Sequence, residues 1–100
     1  MQYMKATLVL RRRDVLPGGI TVEMVIWQLA APAADRPHGL KYRLQAHRGG
    51  RTLVRYDNET GKGDHRHYGR REERYAFTNM ERLIEDFIAD IERLGAANGQ

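Results

Sequence analysis

Apolar and polar residues alternate with a period of two through the first half of the chain. In Tyr3–Arg11 and Ile20–Leu29, apolar residues recur at every second position, which is typical of strands with one buried face. Leu16-Pro17-Gly18-Gly19 separates the two segments. Pro17 fixes its own φ, and Gly18 can take the positive φ that a type II turn requires. The alternation therefore predicts an antiparallel hairpin.

A second pair of alternating segments predicts another hairpin. Lys41–His47 and Thr52–Asp57 flank Arg48-Gly49-Gly50-Arg51, a sequence typical of a tight turn. The loop between the two hairpins, Ala30–Gly39, contains prolines that exclude a continuing strand. We expect this loop to lie at the surface and His38 within it to be exposed.

A single helical pattern follows near the C-terminus. From Met80 to Leu94 apolar residues recur three and four positions apart, the spacing of an amphipathic helix. Thr78 and Glu81 form a capping-box pattern at its start, and Gly95 is typical of a residue that ends a helix.

The order of these segments predicts an α+β fold. We expect a mainly antiparallel sheet of about four to five strands, in two hairpins, packed against one C-terminal helix. A chain of 100 residues predicts a single domain, residues 1–100. Within it the sheet occupies about residues 3–57, a functional loop residues 56–74, and the helix about residues 79–94.

Composition limits the functions that are open to the chain. The absence of cysteine excludes disulfides and thiolate metal sites. A net charge of +4 favours a polyanionic partner, which could be RNA, DNA or an acidic protein. The chain has neither the charge order of a secretory signal nor an apolar run of the ~20 residues that span a membrane. We therefore expect a cytoplasmic protein with no membrane partner.

The segment from Tyr56 to Glu73 concentrates groups that a simple connection does not need. Histidine exchanges protons near neutral pH, and glycine lets the backbone approach a ligand closely. The glycine spacing matches neither a P-loop nor a dinucleotide fingerprint, which excludes those nucleotide-binding enzymes. The groups closest together are Gly61, Lys62, Gly63, Asp64, His65, Arg66 and His67.

One hypothesis for this segment is metal-independent cleavage of a phosphodiester bond, without a cofactor. His65 and His67 are two positions apart, so in an extended segment they project to the same side and can serve as base and acid. Lys62 and Arg66 would stabilise the charge that develops on phosphorus. Asp64 would orient a histidine. Tyr56 or Tyr68 would be an alternative acid.

Further residues are candidates for binding the substrate. Arg43 and Arg55 belong to a cationic hairpin face, which is typical either of solvated surface or of the floor of an anion site. The remaining substrate-binding candidates are Gly61, Gly63, Asp57 and Asn58. For Asn58 an Asx-turn is the structural alternative.

Two other interpretations of the histidine pair stay open. H-x-H is a metal-ligand pair, and Asp57 or Asp64 would have to supply the third ligand of a catalytic site. Alternatively, the polar groups form a structural network that holds the loop in place. Trp27 presents a similar choice, because a lone tryptophan in an apolar strand is typical of a core but can also stack on a base.

The segments LVLRRRDVLPGGITVEMVIWQL, KYRLQ and YDNETGKGDHRHYGRREERYAF resemble the TumE family of bacterial and archaeal toxins. The resemblance covers nearly the whole chain except Ala30–Gly39. It implies the toxin half of a two-gene toxin–antitoxin module, with a small helix-turn-helix antitoxin as its partner. It does not imply a particular target.

These observations support three functional hypotheses. The first is a toxin that acts on RNA or on translation through metal-independent cleavage, by analogy with other small basic toxins. The second is a non-catalytic module that binds nucleic acid or protein. The third is a metal-dependent nuclease that uses the H-x-H pair. A homodimer is compatible with each of them.

Overall fold

The fold is a six-stranded antiparallel sheet followed by one helix in a computed structural model that describes residues 5–59 and 61–98. Each strand pairs with its neighbour in the chain, so the strands follow one another across the sheet. The elements are β1 (Ala6–Leu16), β2 (Ile20–Leu29), β3 (Leu40–Arg48), β4 (Arg51–Asp57), β5 (His65–Tyr68), β6 (Arg71–Arg74) and α1 (Met80–Asn98). The α+β class and the antiparallel sheet are confirmed.

The predicted strand number was wrong, because the presumed functional loop contains β5 and β6. These strands join through a turn at Gly69, which has a φ of 61°. Their residues are polar on both faces, so no apolar alternation indicated them in the sequence. Cross-strand ion pairs replace apolar contacts, as where Arg66 Nη2 lies 2.8 Å from Glu73 Oε2.

The first hairpin has the predicted turn but a longer first strand. The Gly19 amide donates to the Leu16 carbonyl at 3.1 Å, and Gly18 has a φ of 89°. β1 continues to Leu16, so the arginines at positions 11–13 lie within the strand. The predicted start at Tyr3 lies outside the described residues.

The helix begins and ends later than predicted. The Asn79 side chain, not Thr78, accepts the first-turn hydrogen bond, with Oδ1 2.8 Å from the Arg82 amide nitrogen. The helix also passes through Gly95 to Asn98. A Cβ on Gly95 would lie 3.0 Å from Ile20 Cδ1, so glycine here serves close packing against the sheet. Among the described residues, no helix is both long and apolar enough to cross a membrane.

The two faces of the sheet have different roles. One face packs against α1 and forms the core with Leu83, Phe87 and Ile91. The apolar alternation of β2, β3 and β4 creates this face, because every second side chain points toward the helix. We call the opposite side the open face; it carries Glu23, Val25, Trp27, Lys41, Arg43, Gln45, His47, Arg55, Asp57, His65 and His67.

Trp27 lies outside the core, although a lone tryptophan in an apolar strand is typical of a core residue. Its ring is half-buried and lies on the open face, outside the core cluster. Directly opposite Trp27 on β3 lies Lys41, which is exposed. The expectation that Trp27 belongs to the core was therefore wrong.

Candidate active site

Four of the predicted site residues meet where β4 pairs with β5. Arg55 and Asp57 are two positions apart on β4, and His67 and His65 lie opposite them on β5. Because side chains two apart in a strand share a face, all four lie on the open face. The predicted common side of His65 and His67 is confirmed by ring centroids 4.9 Å apart.

His65 is held between two oxygen acceptors. Its Nε2 lies 2.7 Å from Asp57 Oδ1, and its Nδ1 lies 3.0 Å from the Gly63 carbonyl oxygen. The carbonyl only accepts hydrogen bonds, so Nδ1 is the donor in that contact. A positive φ of 72° at Gly63 lets the chain turn so that its carbonyl meets the ring. Only 4% of His65 is exposed, so its ring is almost completely shielded from solvent.

Asp57 is a buried carboxylate with incomplete hydrogen bonding. The residue is 5% exposed, and within the described residues Oδ1 has no hydrogen bond of acceptable geometry. Its contacts are ion pairs with His65 and with Arg55, whose Nε lies 3.0 Å from Oδ2. A buried polar atom without an aligned donor is costly, so this oxygen is a candidate for contact with a ligand.

His67 is the member of the cluster best suited to accept a proton. Its Nε2 lies 3.1 Å from Arg55 Nη2. A guanidinium only donates, so Nε2 accepts and the proton lies on Nδ1, 3.8 Å from Glu72 Oε1. Burial, and then the charge of Arg55, lower the pKa of His67 below its ordinary value of 6.5. Both effects favour the neutral form of the His67 imidazole.

The same cluster has the donor types of a metal site. One ligand atom each from Asp57, His65 and His67 lie within 4.8 Å of one another. Imidazole and carboxylate ligands suit zinc and other transition metals. The Gly63 carbonyl holds Nδ1 of His65, as carbonyls do for many ligating histidines, and Nε2 faces the cluster. The structure thus selects Asp57 over Asp64 as the candidate third ligand.

Tyr56 and Arg66 lie on the helix side of the sheet. The Tyr56 hydroxyl donates to Asp90 Oδ2 at 2.5 Å, and Arg66 Nη1 donates to the Tyr56 hydroxyl at 3.1 Å. Tyr68 also donates to Asp90 Oδ2, at 2.7 Å. Burial, and then the hydrogen bond to Asp90, raise the pKa of Tyr56. These contacts join sheet and helix and do not bring either residue to His67.

Asp64 belongs to a separate cluster that includes a histidine missed in the sequence. Tyr42 donates its hydroxyl to Asp64 Oδ1 at 2.6 Å, and His38 Nε2 lies 3.0 Å from the same oxygen. His38 also stacks on Phe77, with ring centroids 3.8 Å apart. The expectation of an exposed His38 was wrong, because no local pattern indicated that Ala30–Gly39 folds back against this turn.

The other predicted residues take different positions. Asn58 is 1% exposed; its Oδ1 accepts from the Tyr42 amide at 3.0 Å, and its Nδ2 donates to the Leu40 carbonyl at 2.8 Å. Lys62 is exposed in a turn beside Gly61, whose amide donates to Asp35. Arg43 is exposed on the open face, directly opposite Asp57.

The chain combines a basic antiparallel sheet, one helix and a His–Asp–Arg cluster, and its sequence matches a family of toxins. The family model described as "Toxin TumE" matches residues 3–94. The chain therefore belongs to the TumE toxin family, and membership implies an antitoxin as a partner. No curated protein and no solved structure shows a significant match.

Proposed function

We propose that this toxin cleaves RNA at the open-face cluster of Asp57, His65, His67 and Arg55. The observation that carries the proposal is the contact between His67 and a guanidinium, with Nε2 3.1 Å from Arg55 Nη2. Removal of a proton needs a neutral base, and a phosphate needs a nearby cation. The two requirements meet here on the accessible side of the sheet.

In this proposal His67 takes the proton of a ribose 2′-hydroxyl. The 2′-oxygen attacks phosphorus, the bond from phosphorus to the 5′-oxygen breaks, and the leaving oxygen takes a proton from water. Arg55 moves its donor from His67 to the phosphate and stabilises the added charge. Arg43 provides a second cation, because it lies opposite Asp57 on the neighbouring strand.

The remaining predicted residues support the cluster. Asp57 and His65 form a buried cross-strand contact, with Oδ1 2.7 Å from Nε2, that holds β5 against β4. We assign Tyr56, Asp64 and Arg66 to holding the sheet and its connections, since their hydrogen bonds go to residues away from His67. Gly61, Gly63 and Asn58 shape the connection between β4 and β5, and exposed Lys62 offers a further phosphate contact.

The test is cleavage of single-stranded RNA by purified protein in the presence of a chelator. His67→Ala should lower the rate by about 10²- to 10⁴-fold, the usual contribution of a general base. His47→Ala is the matched control, because His47 is also on the open face but pairs with Glu23 instead. If the two variants cleave as fast as the unmodified protein, His67 is not the base.

Metal-dependent cleavage is the second candidate function. The specific observation in its favour is the buried Asp57 Oδ1 without an aligned donor, within 4.8 Å of ligand atoms of His65 and His67. Bound metal would supply an activated water or polarise the phosphate. Cleavage abolished by chelator and restored by a divalent ion supports this candidate. Calorimetric titration with Zn²⁺ should then show one site that Asp57→Ala removes.

A non-catalytic binding module remains the alternative to both candidates. The cationic open face alone would bind RNA with an affinity that falls steeply as salt rises. Binding without cleavage under either metal condition would select this function. Multiple turnovers by the purified chain would exclude it.

A further inference from the structure

An apolar groove lies at one end of the open face, away from the candidate active site. Its volume is about 720 Å³, within the range of small-ligand sites. Trp27 forms part of its wall, next to Leu29 and Pro32. The aromatic ring is half-buried, so it is supported by the sheet while one part stays accessible.

Cations connect this groove to the cluster. Trp27 lies directly opposite Lys41, and Arg43 is two positions further along the same strand. Arg43 is in turn opposite Asp57. Strands are about 4.8 Å apart and residues rise about 3.4 Å, which places the Trp27 backbone roughly 12 Å from that of Asp57. A few nucleotides of single strand can span this distance.

The groove and the active site also share a structural support. Asp35, which lines the groove, accepts a hydrogen bond from the Gly61 amide at 2.7 Å. Arg36, from the same wall, donates through Nε to the Asn58 carbonyl at 3.1 Å. Gly61 and Asn58 both belong to the connection that leads from β4 to β5. The loop that carries Pro32 is therefore fixed against the segment that presents His65.

We propose that this groove binds an unpaired nucleobase of the RNA strand, stacked on Trp27, while Lys41 and Arg43 contact the adjoining phosphates. The inference rests on the proposed function in that it takes RNA as the substrate. Stacking on an aromatic ring beside a cationic path is how proteins hold single strands without reading their sequence. A fully paired duplex hides the base faces, so it does not fit the groove.

The chain has a single tryptophan, so the tryptophan fluorescence reports on this groove alone. The experiment titrates the full chain with a 2′-O-methyl oligonucleotide, which lacks the attacking hydroxyl and is not cleaved. We expect quenching as the base stacks. A matched strand with abasic positions has the same phosphate charge and should bind more weakly, with little quenching.

Substitutions separate stacking from charge. Trp27→Leu should weaken binding of the labelled oligonucleotide by about 5- to 100-fold, as loss of a stacked base does, whereas Trp27→Phe should retain most of the affinity. Both variants should keep the circular dichroism spectrum of the unmodified chain. Lys41→Ala keeps the tryptophan and should weaken binding of the complete and the abasic oligonucleotide by the same factor.

The outcomes distinguish this inference from the proposed function. Quenching without cleavage of ordinary RNA would contradict the proposed function and leave the nucleobase site supported. Equal affinity and equal quenching for the complete and abasic strands would overturn the inference even if RNA is cleaved. No response to any nucleic acid would also overturn it and assign the groove to another occupant, such as a protein partner.

Discussion

His67 shows how neighbouring residues determine the tautomer and shift the pKa of one side chain. Its position on a strand gives the ring a fixed direction, and Arg55 accounts for both its tautomer and part of its pKa shift. A lowered pKa means that the ring stays neutral as pH falls through 6.5 and gains a proton only below that value. The neutral form is the one that either proton acceptance or metal binding requires.

The titration of His67 can be measured directly. Nuclear magnetic resonance of the labelled imidazoles should place its midpoint below 6.5. In Arg55→Gln the neighbouring cation is absent, so the midpoint should rise toward 6.5. A His67 midpoint above 6.5 in the unmodified chain would contradict the electrostatic account.

Sequence reasoning named the residues of the open-face cluster but did not predict which of them pair with one another. The H-x-H spacing correctly predicted that His65 and His67 share a side, because a period of two is a property of any strand. Nothing in the sequence showed that Arg55 pairs with His67, since that depends on the register of two strands. His38 was missed for the same reason, because its partner Asp64 is distant in the chain.

At the level of elements, apolar periodicity predicted the strands and the helix that bury apolar side chains. It did not predict the strands whose pairing depends on polar side chains. β2 and α1 were predicted because their apolar residues face the core. β5 and β6 were not predicted, because their pairing uses charges such as Arg66 and Glu73. The helix start was misplaced by one residue, since Thr78 and Asn79 are both suitable caps and only the backbone path selects between them.

The identity of the helix cap leads to a stability prediction. Asn79→Ala removes the acceptor for the Arg82 amide and should lower the free energy of unfolding by about 1 kcal/mol. Thr78→Ala is the matched control and should change it by less than about 0.5 kcal/mol, as an exposed substitution without a lost cap does. Urea unfolding measures both. A larger loss for Thr78→Ala would contradict the observed helix start.

Asp90 joins the helix to the sheet, which a pattern of apolar residues did not reveal. It accepts from the hydroxyls of Tyr56 and Tyr68 and from Arg93. Burial opposes the charge of this carboxylate, but these hydrogen bonds prevail and lower the pKa of Asp90 below 3.8. The stabilisation is therefore complete above the unfolded-state pKa and is lost as pH falls through the lower folded-state value.

Asp90→Asn tests this connection between helix and sheet. Because neutral hydrogen bonds are weaker than charge-assisted ones, the free energy of unfolding should fall by about 1–2 kcal/mol at pH 7. The difference from the unmodified chain should shrink as pH falls below about 4. The exposed control Glu92→Gln should have little effect at either pH. A pH-independent deficit would show that the charge of Asp90 contributes nothing.

At the scale of the whole molecule, stability and proposed chemistry lie on opposite sides of one sheet. The helix covers the face that holds the core, and its contacts with the sheet are most extensive at β4. β4 presents Tyr56 to the helix and Asp57 to the open face, so one strand serves both. α1 is the single helix of the described chain and packs on the core side, so no helix covers the open face.

The toxicity of open-face variants in growing cells tests the central claim most directly. The unmodified chain, His67→Ala and His47→Ala are expressed without antitoxin at equal protein levels, and growth is followed. We expect the unmodified chain and His47→Ala to arrest growth equally, and cells with His67→Ala to keep growing. Equal arrest by His67→Ala would contradict the assignment of the toxin's activity to this cluster.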